Sequence, residues 1–207
     1  MIGVFGGTFD PVHNGHLRTA LDVFEALALD ELRFVPLGRA VHREQPLTPP
    51  ERRLALLRAA IEHQPGFLVD ERELRRDRPS YTVHTLESLR DELGDERPLC
   101  LLLGRDAFSA FHTWRQPERI LELAHLVVMD RPGHGLPDEP ELRALMEDRV
   151  ARDGAELRTR PAGAIRFQPV TRLDISSSDI RQRLARGGSI RWLVPEAVLA
   201  LLQREGG

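Results

Sequence analysis

The stretch Ile2-Gly3-Val4-Phe5-Gly6-Gly7-Thr8-Phe9-Asp10-Pro11-Val12-His13-Asn14-Gly15-His16 decides the fold. Ile2–Phe5 is short and apolar and runs into Gly6-Gly7, the pattern of a buried strand ending in a tight turn. Beyond it, Leu17, Ala20, Leu21, Phe24, Leu27 and Ala28 recur at helical spacing, so a helix starts near Asn14. The glycines let the backbone turn sharply and approach a ligand without a Cβ in the way. The helix start offers unpaired N–H groups and the positive end of a dipole. Together these features bind anions. The spacing is neither a dinucleotide fingerprint nor a lysine-bearing P-loop.

Working outward, strand and helix patterns keep alternating. Leu32–Pro36, Phe67–Val69, Leu99–Leu103, Leu126–Met129 and Ile165–Val170 read as strands. A helix over Arg52–His63 carries Leu54, Leu57, Ala60 and Ile61, and another carries Val83, Leu86, Leu89 and Leu93. Two short helices follow, from about Ser177 and about Pro195. This alternation predicts an α/β fold, a parallel sheet with helices on both faces. In such sheets ligands sit beyond the carboxyl ends of the strands. The polar clusters Gly104-Arg105-Asp106 and Asp130-Arg131-Pro132-Gly133 fall at those ends. Residues 1–207 read as one domain, with 132–160 as a surface insertion and 176–205 as a helical C-terminal part.

Bulk properties narrow the class. The 207 residues are 41% hydrophobic and 29% charged, with a net charge of −3. That suits an ordinary globular chain, and any phosphate binding must come from a local site. No stretch approaches the roughly 18 apolar residues of a membrane span. The single Cys100 sits in an apolar run and excludes an internal disulfide; it reads as a buried, inert thiol. A cytoplasmic location is expected.

His13 and His16 are three apart, so both project from the first helical turn. A helix N-terminus disfavours a charged imidazole, and a bound triphosphate would reverse that penalty. The rings would then donate hydrogen bonds to phosphate as charge builds in a transition state. Zinc held by His13, His16 and Asp10 lacks a further ligand at suitable spacing. Mg²⁺ carried by a nucleotide fits better, because it prefers phosphates and water to a protein cage.

Gly6–His16 resembles the T/HxGH signature of the nucleotidyltransferase superfamily. Ile175-Ser176-Ser177-Ser178-Asp179-Ile180-Arg181 is similar to its ISSTxIR motif. Further segments resemble the nicotinate mononucleotide adenylyltransferases. These are Arg78-Pro79-Ser80-Tyr81-Thr82-Val83-His84-Thr85-Leu86, then Leu103–Phe108 with Phe111 and Trp114, and Leu193-Val194-Pro195. The chain departs from that pattern at Ala40-Val41, where prolines are usual. His84 replaces an Asp, Ser178 a Thr, and Leu201-Leu202 a Tyr-Ile pair.

The resemblance implies a Rossmann-like, doubly wound sheet and transfer of AMP from ATP to nicotinate mononucleotide, with Mg²⁺ arriving on ATP. It implies catalytic roles for His13 and His16. It places Gly6, Gly7, Thr8, Gly104, Asp106, Ser177, Ser178 and Arg181 on ATP, with Asp106 on the ribose. His42 and Arg43 would reach the reacting phosphates. Tyr81, Thr82, Trp114 and Arg115 would hold the mononucleotide, Trp114 by stacking on the pyridine ring. The implied partners are these two small molecules, with neither nucleic acid nor membrane, and the oligomeric state stays open. Arg75, Arg76 and Arg78 read as a solvated basic edge, Trp192 as packing, and His84 has no role. The competing readings are a sister adenylyltransferase for nicotinamide mononucleotide or phosphopantetheine, and a nucleotide sensor without turnover.

Overall fold

The computed structural model describes residues 1–40, 46–130 and 139–204. Six strands form one parallel sheet: β1 (Ile2–Gly7), β2 (Glu31–Pro36), β3 (Phe67–Val69), β4 (Leu99–Gly104), β5 (His125–Asp130) and β6 (Ile165–Pro169). Their order is β3-β2-β1-β4-β5-β6. β1 pairs with β2 through Ile2↔Glu31 to Gly7↔Pro36, and with β4 through Ile2↔Leu99 to Phe5↔Leu102. The chain therefore winds outward in two directions from β1 and β4. The crevice between their carboxyl ends is the switch point where such sheets bind ligands.

Strand alternation sends successive side chains to opposite faces. Phe5, Cys100, Leu102, Val127 and Met129 join one core cluster, which receives α1 (Asn14–Ala26), α2 (Pro50–Ile61), α7 (Ser177–Ala185) and α8 (Glu196–Gln203). Ile2, Val4, Leu99, Leu101, Leu103, Leu126 and Val128 join the other. That face receives α3 (Thr82–Leu93), α4 (Arg105–Ser109), α5 (Pro117–Leu123) and α6 (Pro140–Met146). The expected doubly wound sheet is what the chain forms. Among the described residues no helix is long and apolar enough to cross a membrane. Burial pushes the Cys100 thiol up to about 12, so it is an inert core residue.

Several details differ from the sequence reading. α2 begins at Pro50, where proline suits the first helical position, and its buried stripe is Arg53, Leu56, Leu57 and Ile61. Leu54 and Ala60 lie only half-buried at its margin. The short α5 is hidden in the sequence because seven residues carry too little periodicity to stand out. Trp192 is not packing: it is 79% exposed. Its positive φ of 73° turns the side chain outward, while Ile190 and Val194 take the buried places on either side. In the 132–160 segment, Leu142, Met146 and Leu157 are buried and Val150 bridges to Ile165.

Candidate active site

β1 ends in two glycines that serve different purposes. A Cβ on Gly6 would meet nothing within 4 Å among the described residues, and the same holds for Gly104 at the end of β4. Two adjacent strand ends at the switch point thus present open backbone. Gly7 is different: a Cβ there would stand 2.7 Å from the Phe9 ring. The missing Cβ of Gly7 therefore makes room for the Phe9 ring. Phe9 is buried, with φ +47°, and packs edge-on against Phe5 at 5.7 Å.

The two histidines stand on this platform. His13 occupies the N-cap of α1, and His16 lies two residues inside the helix. Their rings stack at 3.7 Å, and the Phe9 ring meets His16 edge-on at 5.2 Å. Gly15 is needed between them, since a Cβ there would come within 3.0 Å of the His13 ring. Burial lowers His13 to about 4. Burial, then repulsion from His13, lowers His16 to about 3. Both rings are neutral at pH 7. The buried Nδ1 atom of each has no hydrogen-bond partner among the described residues. Buried polar atoms without partners are rare and call for an explanation, a catalytic role among them.

The second motif meets the first across more than 160 residues. Ser177 Oγ donates to the Pro11 carbonyl at 2.9 Å, and Arg181 donates to the Asp10 carbonyl at 2.5 Å. A second guanidinium hydrogen bond of Arg181 reaches Ser178 Oγ at 3.3 Å. Ser176 is the N-cap, its Oγ accepting from Asp179 N at 3.1 Å, which leaves Ser177 and Ser178 in the first turn. Asn14 ties the same corner to the chain's end: its amide donates to Trp192 O at 2.8 Å and its backbone N–H to Leu193 O at 2.9 Å. So the start of α7, with Ser177, Ser178 and Arg181, is tied to the Asp10-Pro11 turn that leads into the His13–His16 pair.

A second group lies beside α3 and α4. Arg115 places its guanidinium 4.7 Å over the Tyr81 ring. Trp114 packs against Phe111 at 5.5 Å. Tyr81 caps α3 and Thr82 opens it, while Gly104 caps α4 and leaves Asp106 exposed in its first turn. His42 and Arg43 lie outside the described residues.

Sequence reasoning misassigns or misses several residues. Arg76 is no solvated edge: it donates to Thr85 Oγ1 at 3.1 Å and to the His84 carbonyl at 3.0 Å, whereas Arg75 and Arg78 are exposed. His84 has a structural explanation, with Nδ1 3.1 Å from Glu87 and its ring edge-on to Tyr81 at 5.9 Å. Asp10 is 3% exposed and binds the loop before α2 by accepting from Leu47 N at 3.0 Å. Arg53 is missed altogether. Its signal is a charged residue inside the apolar stripe of α2. Among the described residues there is no group of three His, Cys, Asp or Glu placed to hold a metal.

The sequence profile of the cytidylyltransferase-like family matches residues 4–183. A "probable nicotinate-nucleotide adenylyltransferase" of Methylococcus capsulatus is 48% identical over 206 residues, covering 99% of this chain and 98% of the relative. A relative of the same name from Halorhodospira halophila is 51% identical over 199 residues, covering 95% and 90%. The chain belongs to the nicotinate-nucleotide adenylyltransferase family. Its fold is shared with solved structures of the Plasmodium falciparum nicotinic acid mononucleotide adenylyltransferase. The form complexed with NaAD has a TM-score of 0.73 and 17% identity, covering 99% of this chain and 95% of that one. The form complexed with APC has a TM-score of 0.68 and 16% identity over the same shares.

Proposed function

We propose that the protein transfers AMP from ATP to nicotinate mononucleotide, giving nicotinate adenine dinucleotide and pyrophosphate. The observation that carries the reading is the stacked, neutral pair His13–His16, whose buried Nδ1 atoms have no partner among the described residues, at the end of a turn that Ser177 and Arg181 hold. The names of close relatives support the acceptor. A cytoplasmic location goes with this metabolic role.

A mononucleotide phosphate oxygen attacks the α-phosphorus of ATP. One P–O bond forms, the bond to the β-phosphate breaks, and pyrophosphate leaves. A phosphate monoester has a second pKa of about 6, so the nucleophile is already largely dianionic at pH 7. No general base is required. The residues therefore act by position and charge. Arg181 and the α7 hydroxyls hold the triphosphate end. Thr8 and the open backbone at Gly6 and Gly104 accommodate the nucleotide, with Asp106 on its ribose, and His42 and Arg43 reach the phosphates. His13 and His16 donate to the oxygens that gain charge, and the polyanion raises the affinity of both rings for a proton. Tyr81, Thr82, Trp114 and Arg115 hold the pyridine nucleotide. Mg²⁺ bound to ATP would supply charge neutralisation on the phosphates, which His13, His16 and Arg181 would complement.

The test is pyrophosphate release from Mg-ATP with nicotinate mononucleotide, nicotinamide mononucleotide or phosphopantetheine as acceptor. The reading expects the first to be turned over fastest. Preference for phosphopantetheine, or no release with any acceptor, contradicts it.

A further inference from the structure

Arg53 is fully buried, at 0% exposure, yet no carboxylate lies within ion-pair distance among the described residues. Its guanidinium is spent on backbone. It donates to Thr8 O at 2.7 Å, to Leu37 O at 2.7 Å and to Thr48 O at 3.3 Å. These carbonyls belong to the turn after β1, the segment after β2 and the loop that leads into α2. Burial pulls the guanidinium's pKa down, while Asp10 and Glu51 pull it back up. A buried charge held by carbonyls alone is a costly way to stabilise a fold, since an apolar side chain of similar size would fill the space without desolvating an ion. The arrangement calls for a purpose that needs geometry.

That purpose lies in the peptide between Thr8 and Phe9. A trans peptide is planar, with C=O and N–H on opposite sides. Fixing the Thr8 carbonyl on Arg53 therefore turns the Phe9 N–H to the other side and sets the peptide that leads into Phe9. Phe9 has φ +47°, a left-handed conformation that costs a non-glycine residue roughly 1–3 kcal/mol and persists only where surroundings enforce it. Its ring lies 5.2 Å from His16, whose own ring stacks on His13. A chain of contacts thus runs from Arg53 through Thr8 and Phe9 to the histidine pair.

We propose that Arg53 is a positioning residue for the catalytic turn: by clamping the Thr8 and Leu37 carbonyls it keeps Phe9 beneath His16 and holds the first two loops in register. It touches no reacting atom. The proposal rests on the adenylyl-transfer reading of that turn, and its test separates the two. Arg53→Met keeps most of the volume and removes every donor, while Arg53→Lys can serve one carbonyl but not the fork of three. Both variants and the wild type are assayed at a temperature where circular dichroism shows them folded, and the His16 imidazole is followed by ¹⁵N–¹H NMR. The expectation is a kcat about 10²-fold lower in Arg53→Met, as for a displaced catalytic group. KM for either substrate should change little, Arg53→Lys should lie between, and the His16 resonances should shift in both. Wild-type kcat with unmoved His16 resonances in the folded variants overturns the proposal. If Arg53→Met fails to fold, Arg53→Lys decides by the same two readouts. A wild type without turnover sinks the adenylyl-transfer reading instead, and the NMR shift still reports whether Arg53 positions His16.

Discussion

Gly6→Ala and Gly7→Ala are the same chemical change at neighbouring residues, and the structure assigns them opposite consequences. A methyl on Gly7 would stand 2.7 Å from Phe9 Cζ, 2.8 Å from Cε1 and 3.1 Å from Cε2. The ring cannot swing aside, because Phe9 is 1% exposed and wedged between Phe5 at 5.7 Å and Phe34 at 5.9 Å. Forcing a methyl into such packing costs about 1–3 kcal/mol. The lost freedom of the unfolded chain offsets about 0.4–1 kcal/mol of that. At the centre of those ranges the net loss is about 1.3 kcal/mol, or a Tm lower by roughly 3–5 °C for a chain of this length. At Gly6 the described residues leave open space and the backbone is not left-handed, so only the unfolded-state gain of about 0.4–1 kcal/mol applies. In the proposed reading its methyl would instead stand where phosphate approaches. Calorimetric melts and steady-state kinetics separate the two. Gly7→Ala should melt lower and lose kcat as Phe9 shifts under His16. Gly6→Ala should melt at or slightly above wild type while KM for ATP rises. A Gly7→Ala protein with wild-type Tm, or a Gly6→Ala protein that melts lower, refutes the division of labour.

Stability should also follow pH through the histidines. Burial holds His13 at about 4 and His16 at about 3, below the ordinary 6.5, so between those values the unfolded chain binds more protons. Stability therefore falls as pH drops from 6.5 through 4 toward 3, and urea unfolding of the double variant His13→Asn/His16→Asn should show a flatter profile over that window. Trp114→Ala should raise KM for nicotinate mononucleotide and leave ATP affinity nearly unchanged by calorimetry; equal losses for both ligands would remove it from the acceptor pocket. Chelating Mg²⁺ with EDTA should abolish turnover without lowering the Tm of the nucleotide-free protein, because the metal travels with ATP; a lower Tm would point to a metal held by the fold.

What is legible in the sequence is what a local pattern can carry. The strand, double glycine and helix of residues 2–26 each have their own periodicity, and the Ser-rich start of α7 has its own capping logic. The meeting of Ser177 with Pro11, 166 residues away, follows from resemblance, not from spacing. What stays hidden depends on partners from remote segments. Arg53 looks like any helical arginine until Thr8, Leu37 and Thr48 converge on it. Trp192 looks like core because large aromatics usually are, and a single left-handed backbone angle overrides that rule. The packing of Gly7 against Phe9 is hidden too, because a sequence does not say which neighbour a missing Cβ serves.

In the proposed mechanism the histidine pair acts on the transition state and contributes little to holding ATP. His16→Ala tests it most directly, with ATP binding measured by calorimetry and turnover measured at saturating substrates on the same preparation. The expected result is a kcat lower by about 10²–10³-fold, the loss of one oxyanion donor, with ATP affinity nearly intact. A kcat close to wild type, or a loss carried entirely by ATP affinity, would contradict it.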